Sequence, residues 1–204
     1  MDQLEQKGLL ENTIVVYTSD HGEMDGEHGL FQKFCLFDPS VKVPLIVSMP
    51  GTVLENGRTD ALTEYIGLYP TLCELAGLPL PDTPVLQPFP GCPTGHDARG
   101  FADICRDPTL PGPDYVFSEY DLRAEIPEYM IRTKRYKYVF NDGDDNELYD
   151  LERDPGERCN LAGDPEHQPV CSKLHELLVG HYNPADNPYR KTKSRAAQVI
   201  ERMR

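Results

Sequence analysis

The sequence NTIVVYTSDHGEMDGEHGLFQK, residues 12–33, joins a strand-like run to a segment dense in ionisable groups. The run TIVVY is β-branched and apolar throughout, which favours a strand covered on both faces within an α/β sheet. Asp20 and His21 follow this run almost at once. Because open α/β sheets bind ligands beyond the carboxyl ends of their strands, we expect a ligand site at this position.

The residue types after the strand suit a cation and an anion together. An aspartate oxygen and an imidazole nitrogen, from Asp20 and His21, can hold a divalent cation. Glycines at positions 22, 26 and 29 allow tight turns and a close approach of the backbone to a ligand. Lys33 supplies a positive charge suited to an oxyanion. The same residues also have a plainer interpretation, in which Asp20 and His21 cap a turn, His28 is structural and Lys33 is solvated.

The remainder of the chain divides into an α/β part and a smaller antiparallel part. VPLIVSMPG, residues 43–51, predicts a second core strand, and YPTLCELAGLP, residues 69–79, predicts a helix. Four short segments with a period of two follow the Pro/Gly-rich stretch, and SKLHELLVGHY predicts a final amphipathic helix. The predicted organisation is an α/β catalytic part over 1–80, a connecting loop over 81–113, an antiparallel sheet with a packed helix over 114–182, and a basic tail over 183–204.

Composition narrows the classes of partner. The formal net charge is −14 and the sequence pI is about 4.8, so the surface repels nucleic acid and anionic membrane. No apolar run approaches the roughly 18 residues that a membrane-spanning helix requires. The six cysteines are scattered without a C-x-x-C pair, and we expect free thiols. Cys92 and Cys105, which flank the Pro/Gly-rich stretch, are the alternative disulfide, and the cellular compartment stays open.

Three blocks of the sequence resemble the sulfatases of the alkaline phosphatase-like superfamily, in the order in which that family carries them. NTIVVYTSDHGEMDGEHGLFQKFCLFDPSVKVPLIVSMPG is similar to the late metal-and-sulfate segment, and LYPTLCELAGLPLP is similar to the helix that follows it. MIRTKRYKYVFND and NELYDLERDPGERCNLA resemble the C-terminal hairpin and its acidic turn. The resemblance covers most of the chain from Asn12 to Ala162 and implies an alkaline phosphatase-like α/β fold with a small C-terminal antiparallel sheet.

The resemblance also implies roles for individual residues. Asp20 matches the aspartate that ligates the active-site calcium, and His21 occupies the next ligand position. Lys33 matches the catalytic lysine that contacts sulfate oxygens and stabilises charge on the transferring group. His28 lies in the family's G-x-H-G turn, where we expect a structural role behind the ligands. The implied cofactor is one calcium ion, although an imidazole nitrogen is an unusual donor for so hard a cation.

One element of the family's chemistry is missing from the sequence. Family members carry a C/S-x-P-x-R motif that matures to formylglycine, whose hydrate attacks sulfur and forms a covalent sulfate ester. Neither GCPTGHDARG at 91–100 nor SMPGT at 48–52 satisfies this motif. We therefore expect the formylglycine and the other calcium ligands on an N-terminal segment outside this chain, and we expect the chain alone to be inactive.

Three hypotheses follow for function. The first is a sulfuric ester hydrolase acting on a small sulfate ester or a sulfated glycan, with a missing N-terminal segment or a second copy of the chain as its partner. The second is a phosphonate monoester or phosphodiester hydrolase of the same superfamily, which shares the Asp-His pair and the lysine. The third is a non-catalytic chain or binding subunit, which the absent nucleophile favours.

Overall fold

The computed structural model describes residues 1–80, 99–120 and 127–181. The α-helices in these ranges are α1 (Asp2–Gln6), α2 (Asp38–Val41), α3 (Leu68–Leu75), α4 (Ala102–Arg106) and α5 (Gln168–His181). The strands are β1 (Val15–Thr18), β2 (Leu45–Ser48), β3 (Tyr115–Tyr120), β4 (Glu128–Thr133), β5 (Tyr136–Asn141) and β6 (Glu147–Asp150). No helix within the described ranges is long and apolar enough to cross a bilayer. The predicted basic tail over 183–204 and Cys92 lie outside these ranges, and the five described cysteines are free thiols.

The first two strands form an antiparallel pair in which Val15 lies opposite Ser48 and Thr18 lies opposite Leu45. Their side chains are more exposed than the sequence predicted, with Tyr17 63% and Ile46 59% exposed. The described residues of this chain therefore do not by themselves cover both faces of these strands. The physical reason is that, within the described residues, β1 and β2 pair only with each other. An apolar strand face is consequently open to solvent.

Helix α3 begins and ends as its sequence predicts. Pro70 lies in its first turn, and Gly77 follows its end with a φ of +66°, a conformation that glycine adopts without steric penalty. The buried Thr71 hydroxyl donates to the Gly67 carbonyl oxygen at 2.6 Å and accepts the Phe101 N–H at 2.8 Å. The bond from the Phe101 N–H anchors the start of α4. Because α4 lies inside the stretch predicted to be a connecting loop, that stretch holds more regular structure than expected.

The predicted antiparallel sheet is confirmed, with strand order β3-β4-β5-β6. Lys134 and Arg135 form the tight connection between β4 and β5, where the Thr133 hydroxyl accepts the Tyr136 N–H at 2.8 Å. Helix α5 packs on one face of the sheet, as its apolar stripe predicted. The buried residues of this core are Tyr129, Ile131, Tyr138, Leu148, Cys171, Leu174 and Leu178.

The other face of the sheet packs against the α/β part of the chain. Since side chains alternate along a strand, Met130 and Val139 point away from α5 and contact the buried Leu36. Val41 and Tyr120 pack around the same cluster. The loop that follows Lys33 is therefore attached directly to the antiparallel sheet, and this attachment fixes the position of the candidate site.

Candidate functional site

The Asp-His pair stands immediately beyond the end of β1, and its backbone is held locally. The Ser19 hydroxyl donates to the His21 carbonyl oxygen at 2.7 Å, and the His21 N–H donates to Asp20 Oδ1 at 3.1 Å. His21 Nδ1 lies 2.7 Å from the Gly22 carbonyl oxygen. A carbonyl oxygen only accepts, so Nδ1 carries a proton at this contact. A carbonyl that fixes the tautomer in this way is a common support for a metal-binding histidine.

Lys33 returns to the same point after a loop of eleven residues. Its Nζ lies 2.5 Å from His21 Nε2, and Asp20 Oδ2 lies 3.3 Å from the same nitrogen. The ammonium donates to the Nε2 lone pair, while the carboxylate oxygen and Nε2 are two acceptors held side by side. Two neighbouring lone pairs of this kind favour a cation between or beside them. The structure thus brings together the three residues that the sequence singled out.

The loop between His21 and Lys33 closes on itself through its own backbone. The Met24 N–H donates to the Gln32 carbonyl oxygen at 2.9 Å, and the Met24 side chain is buried. Gly22 is required at its position, because a Cβ there would lie 1.9 Å from the Pro39 carbonyl oxygen. The Gly22 N–H donates to the Ser40 carbonyl oxygen at 2.7 Å. The loop is therefore seated against the segment that follows Lys33.

His28 occupies a supporting position within this loop. Its ring stacks on Phe37, with centroids 3.9 Å apart and planes inclined by 11°. Its φ of +54° places the backbone in the left-handed region, which a tight turn requires here. The side chains that line the cavity beside Lys33 do not include His28. This geometry gives His28 a packing role in the turn.

A cavity of about 810 Å³ opens beside the three converging residues. The antiparallel sheet closes its opposite wall with Val116, Arg132 and the β4–β5 connection at Lys134. Lys134 pairs with Asp60 at 3.0 Å, so both charges of that pair lie at the cavity. Cavities of this volume accommodate a ligand the size of a sugar unit. The chain therefore supplies an open, charged cleft at the end of β1.

Cys35 lines the cavity but does not have the surroundings of a nucleophile. Its side chain is 9% exposed, and burial raises the pKa of its thiol. Reactive cysteines instead have a lowered pKa, because the thiolate is the attacking form. Cys35 is accordingly a small packing residue in the cavity wall.

The donor set at the cavity fits part of a metal site. Asp20 and His21 contribute a carboxylate and an imidazole, and no group of three or more histidines, cysteines and acidic residues gathers within the part of the chain that the structure describes. Thr18 also lines the cavity, and its hydroxyl oxygen is buried with no hydrogen-bond partner among the described residues. A hard cation prefers six to eight oxygen ligands, so these residues hold such an ion only with further ligands.

A buried ion network lies beneath the segment that follows Lys33. The Lys137 ammonium is fully buried and lies 2.5 Å from both Asp38 Oδ1 and Glu157 Oε1. Arg132 NH1 also lies 2.5 Å from Asp38 Oδ1. Burial opposes the charged form of Asp38, but the Lys137 and Arg132 cations outweigh it and lower the pKa of the carboxyl. Two cations and two carboxylates therefore balance one another in a largely buried network.

Sequence reasoning missed this network, although a signal for it exists. Arg132 and Lys137 are direct cross-strand partners on β4 and β5. They also lie on the same face of the sheet as the buried Met130 and Val139. Like charges placed opposite each other destabilise a sheet, so a buried pair of this kind requires an anion from elsewhere. The acidic partners, Asp38 and Glu157, could not be assigned without the tertiary fold.

Superposition on solved structures identifies the structural class of this chain. The structure superposes with a TM-score of 0.76 on a protein solved in complex with its substrate D-glucosamine-2-N,6-O-disulfate, at 28% identity, covering 92% of this chain and 38% of that one. It superposes with a TM-score of 0.72 on the phosphonate monoester hydrolase of Agrobacterium radiobacter, at 29% identity, covering 88% of this chain and 36% of that one. The fold is that of the alkaline phosphatase-like hydrolases.

The family follows from the sequence comparisons. The family model for the C-terminal region of N-sulphoglucosamine sulphohydrolase matches residues 26–183. The chain is 35% identical over 180 residues to arylsulfatase K of Bos taurus, covering 86% of this chain and 32% of that protein. The chain belongs to the sulfatase family and corresponds to its C-terminal region. It spans about a third of the length of the curated relatives that it matches.

Proposed function

We propose that this chain supplies the C-terminal part of a sulfuric ester hydrolase. Asp20 and His21 are then ligands of a calcium ion, and Lys33 contacts an oxygen of the transferring sulfate. The observation that carries this proposal is the convergence of Lys33 Nζ with His21 Nε2 at 2.5 Å and of Asp20 with the same nitrogen at 3.3 Å. Membership of the sulfatase family supports the reaction class.

The residues of this chain contribute positioning and charge rather than a nucleophile. The Gly22 carbonyl oxygen keeps the proton on Nδ1 of His21, so Nε2 holds the ring's lone pair. That lone pair accepts from the Lys33 ammonium in this structure, and it would bind a cation once the ammonium turns to a sulfate oxygen. Asp20 is 84% exposed at its side chain, so its carboxylate is accessible to an ion from the open side. Lys33 offers an ammonium that stabilises negative charge as it develops on the transferring group. A bound calcium ion supplies Lewis-acid polarisation of a sulfate oxygen.

We propose a sulfated sugar as the class of substrate. A cleft of about 810 Å³ is far larger than a sulfate group, which leaves room for a sugar unit attached to it. One structural neighbour was solved with a disulfated glucosamine as its substrate, which supports the same class here. Lys134 and Asp60, at the far wall of the cleft, are placed to contact polar groups of the sugar.

A phosphonate monoester hydrolase is the second candidate. The similarity to the Agrobacterium radiobacter enzyme favours it, at 29% identity over most of this chain. An Asp-His pair with a lysine does not by itself distinguish a sulfate from a phosphonate, because both present negatively charged oxygens to the same cations. The substrate preference of the assembled enzyme therefore decides between the two.

The test uses the chain together with an N-terminal sulfatase segment whose C/S-x-P-x-R motif has matured to formylglycine. Turnover of an aryl sulfate with calcium is compared between the wild-type chain and its Lys33→Ala and Asp20→Asn variants. We expect kcat/KM to fall by about 100-fold to 1,000-fold in each variant, as for the loss of one charge-stabilising group. Lys173→Ala, at an exposed position on α5, is the control and leaves turnover unchanged.

Two outcomes would overturn this proposal. The first is turnover that survives in both the Lys33→Ala and the Asp20→Asn variant, because the two side chains would then have no part in the reaction. The second is a higher kcat/KM for an aryl phosphonate monoester than for the matching aryl sulfate, which would support the second candidate instead.

A further inference from the structure

We infer that Lys137 is a positioning residue, which holds the segment between Lys33 and Val41, called here the lysine segment, so that Lys33 meets the Asp-His pair. This inference rests on the proposed role of Lys33. It gives the antiparallel sheet a task in the reaction, since Lys137 lies on β5 and not beside the cavity.

The Lys137 ammonium donates to Asp38 Oδ1 at 2.5 Å and to the Leu36 carbonyl oxygen at 3.1 Å. Glu157 Oε1 lies 2.5 Å from the same nitrogen as an ion-pair partner. A lysine ammonium donates and cannot accept, so each of these contacts is made with an oxygen. Lys137 thereby fixes the chain on both sides of Phe37, through a backbone carbonyl and a side-chain carboxylate.

Asp38 is held at more than one point. Its carboxylate is shared by Lys137 and Arg132, and its backbone N–H donates to Glu157 Oε2 at 2.6 Å. Glu157 comes from the acidic turn after β6, and its side chain is 1% exposed. Strands β4 and β5 and this turn therefore converge on a single residue of the lysine segment.

The same segment bonds to both sides of the candidate site. The Ser40 hydroxyl donates to the Lys33 carbonyl oxygen at 2.7 Å, and the Ser40 carbonyl oxygen accepts the Gly22 N–H at 2.7 Å. Gly22 directly follows His21, and Ser40 is 3% exposed. A displacement of Asp38 is transmitted through Ser40 to the main chain at Lys33 and at Gly22. Displacements of about 1 Å in a catalytic group lower rates by about 100-fold.

A purely structural role for Lys137 makes a different prediction. Loss of a buried ion pair then lowers global stability and affects all protected amides alike. A positioning role predicts an additional local change, in which the Gly22 and Asp38 amides lose more protection than the core amides of β4 and β5. Hydrogen exchange of individual amides separates the two, and it does not depend on activity.

The experiment compares Lys137→Met with the double variant Lys137→Met/Glu157→Gln, both in the full 204-residue chain. The double variant removes one cation and one anion, so the network remains neutral. We therefore expect the double variant to fold even if the single variant does not. It also keeps a side-chain oxygen facing the Asp38 N–H. The matched control is Lys173→Met/Glu176→Gln, which makes the same chemical changes at exposed positions of α5.

We expect the Gly22 and Asp38 amides of the double variant to be accelerated at least 10-fold more than the Ile131 and Tyr138 amides, whose acceleration reports only the loss of global stability. We also expect kcat/KM to fall by about 100-fold when the variant is combined with the formylglycine-bearing segment, mainly through kcat. Equal acceleration of all amides would overturn the inference. An unchanged kcat in the double variant would also overturn it, provided that Lys33→Ala loses activity in the same assay. If Lys33→Ala keeps its activity, the proposed function fails, while the exchange data still decide whether Lys137 positions the segment.

Discussion

Replacement of Lys137 by methionine is expected to be among the most destabilising single changes to this chain. Methionine keeps most of the lysine stem, so the cavity contribution is small and the lost charge dominates. The change leaves Glu157, 1% exposed, without a cation, and it leaves Asp38 with Arg132 alone. Removing one partner of a buried ion pair costs about 3–5 kcal/mol, a large share of the roughly 5–15 kcal/mol by which domains are stable.

The double variant Lys137→Met/Glu157→Gln tests the cause of that loss. If the stranded carboxylate is responsible, the neutral glutamine restores part of the stability, and the double variant loses about 1–3 kcal/mol rather than 3–5. Urea unfolding followed by far-UV circular dichroism measures both values, with Lys173→Met within about 0.5 kcal/mol of wild type as the control. A double variant less stable than the single one, or a single variant that loses under about 1 kcal/mol, would refute the reasoning.

The remaining predictions concern pH, surface and ligands. Burial, followed by the neighbouring Glu147, raises the pKa of Glu128 to about 7, so the folded chain binds a proton that the unfolded chain has lost, and stability falls as pH rises from 4.5 through 7. Glu128→Gln should therefore be more stable than wild type by about 1–3 kcal/mol at pH 8 in urea unfolding. An equal pH dependence of stability in wild type and variant would contradict this. Ile46→Lys should reduce self-association in light scattering, because it places a charge on the open face of β2, and unchanged association would exclude this face as the cause. The chain alone should bind calcium with a dissociation constant on the order of 1 mM or weaker by calorimetry, and Asp20→Asn should abolish that binding; micromolar affinity would mean that further ligands exist in this chain. The chain alone should also show no turnover of an aryl sulfate, and turnover lost in Lys33→Ala would reveal a nucleophile within it.

The antiparallel sheet could be read from the sequence because its strands alternate. In β4, Tyr129 and Ile131 face α5 while Met130 and Arg132 face the lysine segment, which is the period of two that the sequence displays. The strands β1 and β2 were equally clear as strands, but their surroundings were not. An apolar run specifies that a strand suits burial, and it does not specify which element covers it.

The candidate site was predictable to the extent that it is local. Asp20 and His21 are adjacent in sequence, and the glycine turns return Lys33 to them within a short loop. Helix α4 was not predictable, because its five residues lie in a Pro/Gly-rich stretch and depend on the bond from Phe101 N–H to Thr71. The ion network was not predictable for a similar reason, since its members meet only when two distant parts of the chain pack together.

The pairing of Arg132 with Lys137 across β4 and β5 has a consequence for how the chain folds. A hairpin forms rapidly from local contacts, but this one places two cations opposite each other on a face that becomes dry in the folded chain. That face cannot lose its water until Asp38 arrives, 99 residues away in sequence from Lys137. Contacts of such separation form late and slowly. We therefore expect the final packing of the sheet and the seating of the lysine segment to occur as one cooperative step, so that a chain whose sheet is fully packed already has Lys33 in place.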